Sequence, residues 1–232
     1  MKKHTTTPQT PSRREMLPGW IYLIAELFFL PSLLSAGNRL LPRPLSDAWL
    51  NFLFFSLNFL VILLIFHRLL RAGLTVARKD PWNFLVSSAA CFVLYWLCAA
   101  ALNRGILLLD PSFSNANDGS ITAMAGNHYR LMAIGTVLLV PPVEECLYRG
   151  LIFGGLYRKN RFLAYLLSIL AFCAIHVLGF LGTRPPLTLA LSALQYVPAG
   201  FFLALAFQKT GTVWSPILVH AAINAAAMYS VR

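Results

Sequence analysis

Charged residues are scarce in this chain. Of its 232 residues, only 12% are charged and 58% are apolar, and the mean hydropathy is +0.66. A soluble domain is nearer half apolar and a quarter charged. The shortage of charge therefore argues against an ordinary soluble domain. It indicates one all-α domain, a polytopic helical bundle with the lipid bilayer as its solvent.

Acidic residues are scarcer still than basic ones. Eight Asp and Glu stand against 19 Lys and Arg, which gives a net charge of +11. A nucleic-acid-binding surface is one interpretation of such a charge. The cations lie between apolar runs, however, where membrane proteins retain Lys and Arg on cytoplasmic loops. We therefore expect the bilayer as a partner and no nucleic acid.

Several signatures of other classes are absent from the sequence. The four cysteines have no CxxC spacing, so neither a zinc clip nor a disulfide framework is indicated. The sequence has no HExxH motif, in which two histidines one helical turn apart bind zinc. There is no internal repeat and no low-complexity tract.

Seven apolar runs are each close to the ~20 residues that cross a bilayer. Counted along the chain, these predicted spans are Trp20–Gly37, Ala48–Phe66, Trp82–Leu102, a fourth beginning near Tyr129, Phe162–Gly182, Leu187–Phe207 and Val213–Val231. About seven transmembrane helices are therefore predicted, in an integral multi-pass protein.

The segments between these runs divide the chain. We predict a disordered, basic cytoplasmic tail over residues 1–16, because this segment is polar and cationic. The remainder divides into an N-terminal part over 17–128, with three spans and a polar loop at 103–128, and a four-helix core over 129–232. The basic segment 67–80 is expected to be a cytoplasmic loop, with the N-terminus on the same side.

A cluster of ionisable residues interrupts the fourth run, in the sequence VEECLYRG. An ionisable group in the middle of a membrane costs at least about 2.5–3.5 kcal/mol, so it persists when it is paired or used. Glu145 and Arg149 have the i, i+4 spacing of a helical ion pair. Glu144 is rotated by about 100° from Glu145 and can face another partner. Tyr148 lies four residues after Glu144 and can share its face.

Three further polar residues occur at compatible positions in later runs. If the fourth and fifth helices form a hairpin that turns near Asn160, His176 lies at the height of Glu144. His220 and Asn224 have i, i+4 spacing on one face of the last helix, among small residues that permit close packing.

Each of these features also has a structural interpretation by itself. An ion pair, a satisfied core histidine and an interhelical hydrogen bond would account for the acid–base pair, His176 and the His220–Asn224 pair. Glu26, in the first run, faces either a cavity or a hydrogen-bond partner in the bundle. Gln195, Tyr196 and Pro198 are candidates to line a cavity. Together, two acids, two histidines and an amide predict a reactive cluster.

The chemistry of such a cluster is hydrolytic. A carboxylate beside a histidine can hold and deprotonate a water molecule. An oxyanion formed from a peptide carbonyl would then need donors, which imidazole and Asn can supply. Two His and one Glu can also bind zinc. We favour no cofactor, with zinc as the alternative, because the HExxH spacing is missing.

The ordered motifs resemble a known family. The sequences EECLYR, FCAIH and HAAIN match EExxxR, FxxxH and HxxxN, each on a separate apolar run. Each motif alone is weak, but the set in this order resembles the CAAX-processing and bacteriocin-processing family of intramembrane endopeptidases, over about residues 129–231. The resemblance implies a hydrolase of the glutamic type in a bacterial inner membrane. It implies a substrate that is a protein or peptide, lipidated or bearing a C-terminal sorting signal, cleaved near its C-terminus or a membrane segment.

The resemblance also assigns roles to the motif residues. It implies Glu144 as general base, His176 as its partner in activating water, and His220 with Asn224 as the oxyanion hole. Glu145 and Arg149 would orient the site. This chain has Tyr148 where many relatives have Phe, and its added hydroxyl would be a further hydrogen-bonding group.

Two competing functions remain open at this stage. A non-catalytic immunity or scaffold protein would retain the same cluster for structure or partner binding. A proton-coupled transporter would use the acids and histidines as a relay. The sequence lacks the paired repeats with matching broken helices typical of transporters.

Overall fold

The computed structural model describes residues 7–231, which form nine helices with no strand among them. In chain order the helices are α1 Arg13–Phe28, α2 Leu30–Arg39, α3 Asp47–Ile65, α4 His67–Lys79, α5 Pro81–Leu109, α6 Ala116–Tyr157, α7 Arg161–Leu178, α8 Pro186–Thr210 and α9 Trp214–Val231. The all-α class predicted from the hydrophobic runs is confirmed.

Five helices, α3 and α5–α8, are long and apolar enough to cross a membrane. A sixth span results if α1 and α2 are one broken span, bent by 52° at Phe29. The seventh predicted span is present as the 18-residue helix α9, but it falls outside this group. Its polar His220 and Asn224 lower its hydropathy. The structure is therefore a multi-pass bundle. By helix length and hydropathy it has five or six membrane spans, where the sequence predicted about seven.

The N-terminal segment differs from the predicted disordered tail. Residues 1–6 of that tail lie outside the described residues. Residues 7–16 pack on the bundle: the Gln9 amide donates to the Gly211 carbonyl at 3.2 Å, and α1 begins at Arg13. Glu15 is buried and its Oε1 accepts from the amides of Arg68 and Leu69, at 3.1 and 2.9 Å. These contacts are distant in sequence, which is why composition alone predicted a free tail.

The predicted basic loop forms an amphipathic helix, α4. Leu69, Leu70 and Gly73 are buried on one side of α4. The Leu70 carbonyl accepts from the Trp214 indole at 2.8 Å, which joins α4 to the start of α9. The cationic side chains of α4 are exposed: Arg68, Arg71, Arg78 and Lys79. Basic and apolar faces on one short helix are typical of a segment that lies at a membrane surface.

The predicted polar loop at 103–128 is mostly helical. Helix α5 continues to Leu109, and α6 begins at Ala116, so only 110–115 lies between them. Asn115 accepts from the amides of Asn117 and Asp118 and therefore caps α6. Its own amide donates to Gln195 Oε1 at 2.7 Å. Polar residues of the segment that was predicted to be a solvated loop thus cap a helix or form hydrogen bonds between helices.

Helix α6 changes its hydrogen-bonding pattern twice near the acidic motif. Gly135–Leu139 and Glu145–Phe153 are π-helical, and the short α-helical stretch between them contains Pro141 and Pro142. Prolines lack the amide hydrogen that an α-helix needs, and single π turns are frequent at functional sites. The second π segment therefore sets the rotation at which Glu145 and Arg149 leave the helix.

The predicted hairpin between the fourth and fifth runs is present. Helix α6 ends at Tyr157 and α7 begins at Arg161, with Asn160 capping α7 through the Leu163 amide. The Ser168 hydroxyl donates to the Tyr148 carbonyl at 3.0 Å and fixes the two helices against each other. The second π segment of α6, Glu145–Phe153, is buried along its whole length and packs against α1, α7 and α8. Glu144 of α6 and His176 of α7 line the same cavity.

Candidate active site

Glu145 is the centre of a buried network of ionisable groups. Its Oε1 accepts from Arg149 Nη1 at 3.1 Å and lies 2.8 Å from His220 Nδ1. Both Glu145 and Arg149 are 0% exposed, and His220 is 3% exposed. The i, i+4 ion pair expected from the sequence is therefore formed, and it also holds a histidine from α9. These contacts join two of the three motifs.

Arg149 has further partners on two other helices. Its Nη2 donates to the Gly200 carbonyl of α8 at 3.2 Å, and its guanidinium lies 4.4 Å from the centre of the Phe172 ring on α7. A buried cation is tolerable when an anion, a carbonyl and an aromatic face compensate for the water it loses. Arg149 therefore connects α6, α7 and α8 behind the site.

Glu144 lines a cavity that Glu145 does not reach. The cavity has a volume of about 860 Å³, and the four residues with predicted catalytic roles, Glu144, His176, His220 and Asn224, all line it. The Glu144 side chain is partly exposed, and its Oε2 has no hydrogen-bond partner among the described residues. Two adjacent acids thus differ in environment: Glu145 is fixed by charged partners, and Glu144 is available to a ligand.

The ring of His176 is held in one orientation. Its Nδ1 lies 2.7 Å from the Phe172 carbonyl, and the ring stacks on Tyr196 of α8 with centroids 4.0 Å apart. Because a carbonyl can only accept, Nδ1 carries the hydrogen and Nε2 of the neutral ring retains its lone pair. His176 can therefore accept a proton or a hydrogen bond at Nε2.

His220 and Asn224 are also anchored from behind. The Asn224 amide donates to the Thr136 carbonyl at 2.8 Å, and His220 is bound to Glu145 through Nδ1. Each side chain has one more atom that can form a hydrogen bond: the second amide hydrogen of Asn224 and Nε2 of His220. Since both residues line the cavity, α9 presents a pair of anchored polar groups to it.

Tyr148 is near the motif acids without bonding to either. Its side chain is 0% exposed and packs edge-on against Phe172, with ring centroids 5.9 Å apart. Its hydroxyl has no hydrogen-bond partner among the described residues. The hydrogen bond to Glu144 or Glu145 suggested by the sequence is therefore not formed, since the π-helical turn places the ring against α7.

The side chains do not converge in the way that a zinc site requires. Within residues 7–231 no three His, Cys, Asp or Glu side chains are grouped so that they could hold one metal ion. His176 and His220 each have Nδ1 engaged, by a carbonyl and by Glu145. Nε2 of both rings is still free, and zinc-binding histidines commonly have their other ring nitrogen engaged in this way, so the absence of a cofactor stays a prediction.

Sequence reasoning left two contributors to the site largely undetermined. Tyr196 was only a candidate for lining a cavity; it does line this one, stacks on His176 and donates to Asp118 at 2.7 Å. Glu26 of α1 lines the same cavity, although the sequence left its partner open. An acid in the first apolar run was the signal for Glu26, but α1 had no motif that connected it with the others.

Comparisons with known proteins agree with the motifs. Residues 126–226 match the family model described as "Type II CAAX prenyl endopeptidase Rce1-like". Over 96 residues the chain is 34% identical to "Putative membrane peptidase YdiL" of Bacillus subtilis (strain 168). That alignment covers 40% of this chain and 34% of the relative, so the chain matches about a third of the relative's length. No solved structure matches the chain.

The matched segment begins in α6 and ends in α9, so it includes all three motifs and the anchored side chains that line the cavity. The family suggested by EECLYR, FCAIH and HAAIN is thereby confirmed. Over residues 126–226 this chain is similar to the Rce1-like type II CAAX prenyl endopeptidases, and part of it is similar to a putative membrane peptidase.

Proposed function

We propose that this protein is an intramembrane endopeptidase that hydrolyses a peptide bond with water activated by Glu144 and His176. One observation carries the proposal: Glu144 lines the 860 Å³ cavity, is partly exposed and has no hydrogen-bond or ion-pair partner among the described residues, while Glu145 is held by Arg149 and His220. A structural acid would be expected to be paired as Glu145 is. The endopeptidase description of the family model and the membrane-peptidase name of the relative support the same class of reaction.

In the proposed reaction a water molecule lies between Glu144 and His176. The water oxygen attacks the carbonyl carbon of the substrate while Glu144 takes a proton from the water. Nε2 of His176 accepts a hydrogen bond from the same water and so aligns it. The new carbon–oxygen bond gives an oxyanion. As the carbon–nitrogen bond breaks, the proton on Glu144 passes to the leaving nitrogen, and the base is regenerated.

Asn224 and His220 are proposed to stabilise the oxyanion. The free amide hydrogen of Asn224 can donate directly. His220 can donate from Nε2 only when both its ring nitrogens carry hydrogen, because Nδ1 already serves Glu145. Glu145 is then the counter-ion of the imidazolium as well as of Arg149. This arrangement supports an orienting role for Glu145 and Arg149 and a preorganised oxyanion hole.

The cavity has an entrance from one end of the bundle. Its lining includes the exposed residues Ser32, near the start of α2, and Leu181 and Ser230, near the C-terminal ends of α7 and α9. The amphipathic helix α4 contacts the opposite end of α9, through Trp214. If basic α4 lies at the cytoplasmic surface, as its charge predicts, substrates enter from the other side of an inner membrane. We propose a membrane-associated protein or peptide substrate, lipidated or with a C-terminal sorting signal.

The experiment compares the wild type with E144Q, each purified in detergent and incubated with membrane proteins of the source organism. New peptide termini are mapped by mass spectrometry. Termini that appear with the wild type and not with E144Q are expected, with equal thermal unfolding of both proteins. Identical termini from two well-folded proteins would instead favour the non-catalytic immunity or scaffold function.

A further inference from the structure

A third carboxylic acid faces the catalytic cavity, from outside the segment that matches the family. Glu26 lies on α1 and is 4% exposed, and it lines the cavity that holds Glu144. Its Oε2 has no hydrogen-bond partner among the described residues. The adjacent polar pair does not satisfy it, because the Tyr22 hydroxyl is hydrogen-bonded to Asn58. An unpartnered buried carboxyl is costly and calls for an explanation.

Apart from the two histidines, the ionisable residues that line the cavity are all acids. Three of the eight acids in the chain line it, Glu26, Asp118 and Glu144. No lysine or arginine of residues 7–231 does so, although the chain carries a net charge of +11. The basic residues of the chain therefore offer no counter-ion to these acids inside the cavity.

The three acids are not equivalent. Asp118 accepts a hydrogen bond of 2.7 Å from Tyr196. Glu144 is the proposed base and faces the bond to be cleaved. Glu26 has neither a partner nor a place in the hydrolytic step. Because buried charges in proteins are paired or neutralised, a partner for Glu26 can come from a ligand in the cavity.

The surroundings of Glu26 define the shape of that partner. The part of the cavity lining that α1 and α3 contribute is mostly apolar, including Leu27, Phe54 and Phe55, together with two asparagines of α3. An apolar wall with one acid suits a side chain that has a hydrocarbon stem and a cationic head, as arginine and lysine have. A guanidinium can in addition bind a carboxylate through two parallel hydrogen bonds.

We propose that Glu26 is a specificity-determining residue, which binds an arginine or lysine side chain of the substrate close to the bond that is cleaved. The inference rests on the proposed protease function and adds the substrate class: protein or peptide segments with a cationic residue beside an apolar stretch. Glu26 acts on substrate choice, and Glu144 acts on the chemistry.

The first test measures cleavage of matched peptides by the purified full chain in detergent. The substrates are pairs of internally quenched apolar peptides. The two peptides of a pair differ at one position, which is arginine in one and its neutral isostere citrulline in the other, and this position is moved along the peptide from one pair to the next. We expect kcat/KM for the best arginine peptide to exceed that of its citrulline partner by roughly tenfold or more, as a charged hydrogen bond allows. In E26Q this ratio should fall to about one, and in E26D it should keep its direction.

Asp118→Asn is the matched control, since Asp118 lines the same cavity with its carboxylate engaged by Tyr196. It should keep the arginine preference. Equal cleavage of arginine and citrulline peptides by the wild type would overturn the inference, as would an unchanged preference in E26Q or its loss in D118N alone. In all three cases the proposed protease function would stand.

A second measurement does not depend on cleavage. Thermal unfolding of the wild type and E26Q is followed with n-pentylguanidinium or with neutral n-pentylurea. A rise in Tm with the cation in the wild type, absent in E26Q, supports the cation site even if no peptide is cleaved. Equal shifts in both proteins contradict it. Equal cleavage by the wild type and E144Q would refute the protease function, and this outcome is independent of the result for the cation site.

Discussion

Nδ1 of His220 lies 2.8 Å from Oε1 of Glu145, and this contact joins the first and last motifs of the site. The same oxygen accepts from Arg149 at 3.1 Å, while Oε2 has no hydrogen-bond partner among the described residues. One carboxylate oxygen therefore orients a cavity-lining histidine and neutralises a buried arginine. The second acid of the motif is structural and electrostatic in this arrangement, and the first is left free.

Glu145→Gln should destabilise the protein as well as impair it. The change leaves Arg149 buried without its anion, which typically costs about 3–5 kcal/mol. Thermal unfolding in detergent should show a clear fall in Tm relative to E144Q. Replacing both partners, as in E145L/R149M, should recover much of the stability without activity. A Tm for E145Q equal to that of the wild type would argue against the buried ion pair.

Tyr148→Phe should leave stability unchanged or slightly higher. The hydroxyl is buried with no hydrogen-bond partner among the described residues, so its removal relieves an unsatisfied group. Tyr148→Ala is the contrasting variant and should cost about 3–5 kcal/mol, because the ring fills space against Phe172. The readouts are Tm and cleavage rate. A large loss of activity in Y148F would contradict this prediction, because it would mean that the hydroxyl acts in the reaction.

Tyr196 should act on catalysis through the ring of His176. The two rings stack at 4.0 Å, which fixes the imidazole plane. Tyr196→Phe preserves the stack and should retain most of the cleavage rate. Tyr196→Leu removes an aromatic contact worth about 0.5–1.5 kcal/mol, so a fall in kcat of roughly two- to tenfold is expected. Similar kcat values for Y196F and Y196L would remove the positioning role.

Glu15→Ala should loosen the N-terminal segment and leave the site intact. Glu15 accepts from the amides of Arg68 and Leu69 at the start of α4, and its removal leaves both unpaired. A loss of about 1–3 kcal/mol is expected. Limited trypsin digestion at Arg13 and Arg14 should become faster. Asp47→Asn, an exposed acid in the first turn of α3, is the control and should digest like the wild type.

Removal of zinc should not change cleavage. No three candidate ligands group together within residues 7–231, and the proposed base is Glu144 itself. The prediction is checked by assaying protein treated with a strong chelator and by measuring its zinc content by mass spectrometry. Loss of activity on chelation, restored by added zinc, would contradict the glutamate mechanism.

Features that depend on local pattern could be predicted from the sequence alone. Apolar runs of sufficient length predicted the helices, and the position of Asn160 predicted the turn that brings Glu144 to the height of His176. The order of three short motifs was enough to recognise the family. Helix periodicity also showed that adjacent acids need not share a partner.

Which of the two acids lacks a partner became clear from the packing of the helices. Prolines and π-helical turns shift the rotation of α6, so regular spacing could not tell that Glu144 faces the cavity or that Tyr148 faces Phe172. The division into an N-terminal part and a four-helix core, and the orientation in the membrane, remain predictions. Glu26 joined the cavity, and residues 7–16 packed on the bundle, through contacts between segments far apart in the chain. Such contacts depend on packing, which composition and periodicity do not encode.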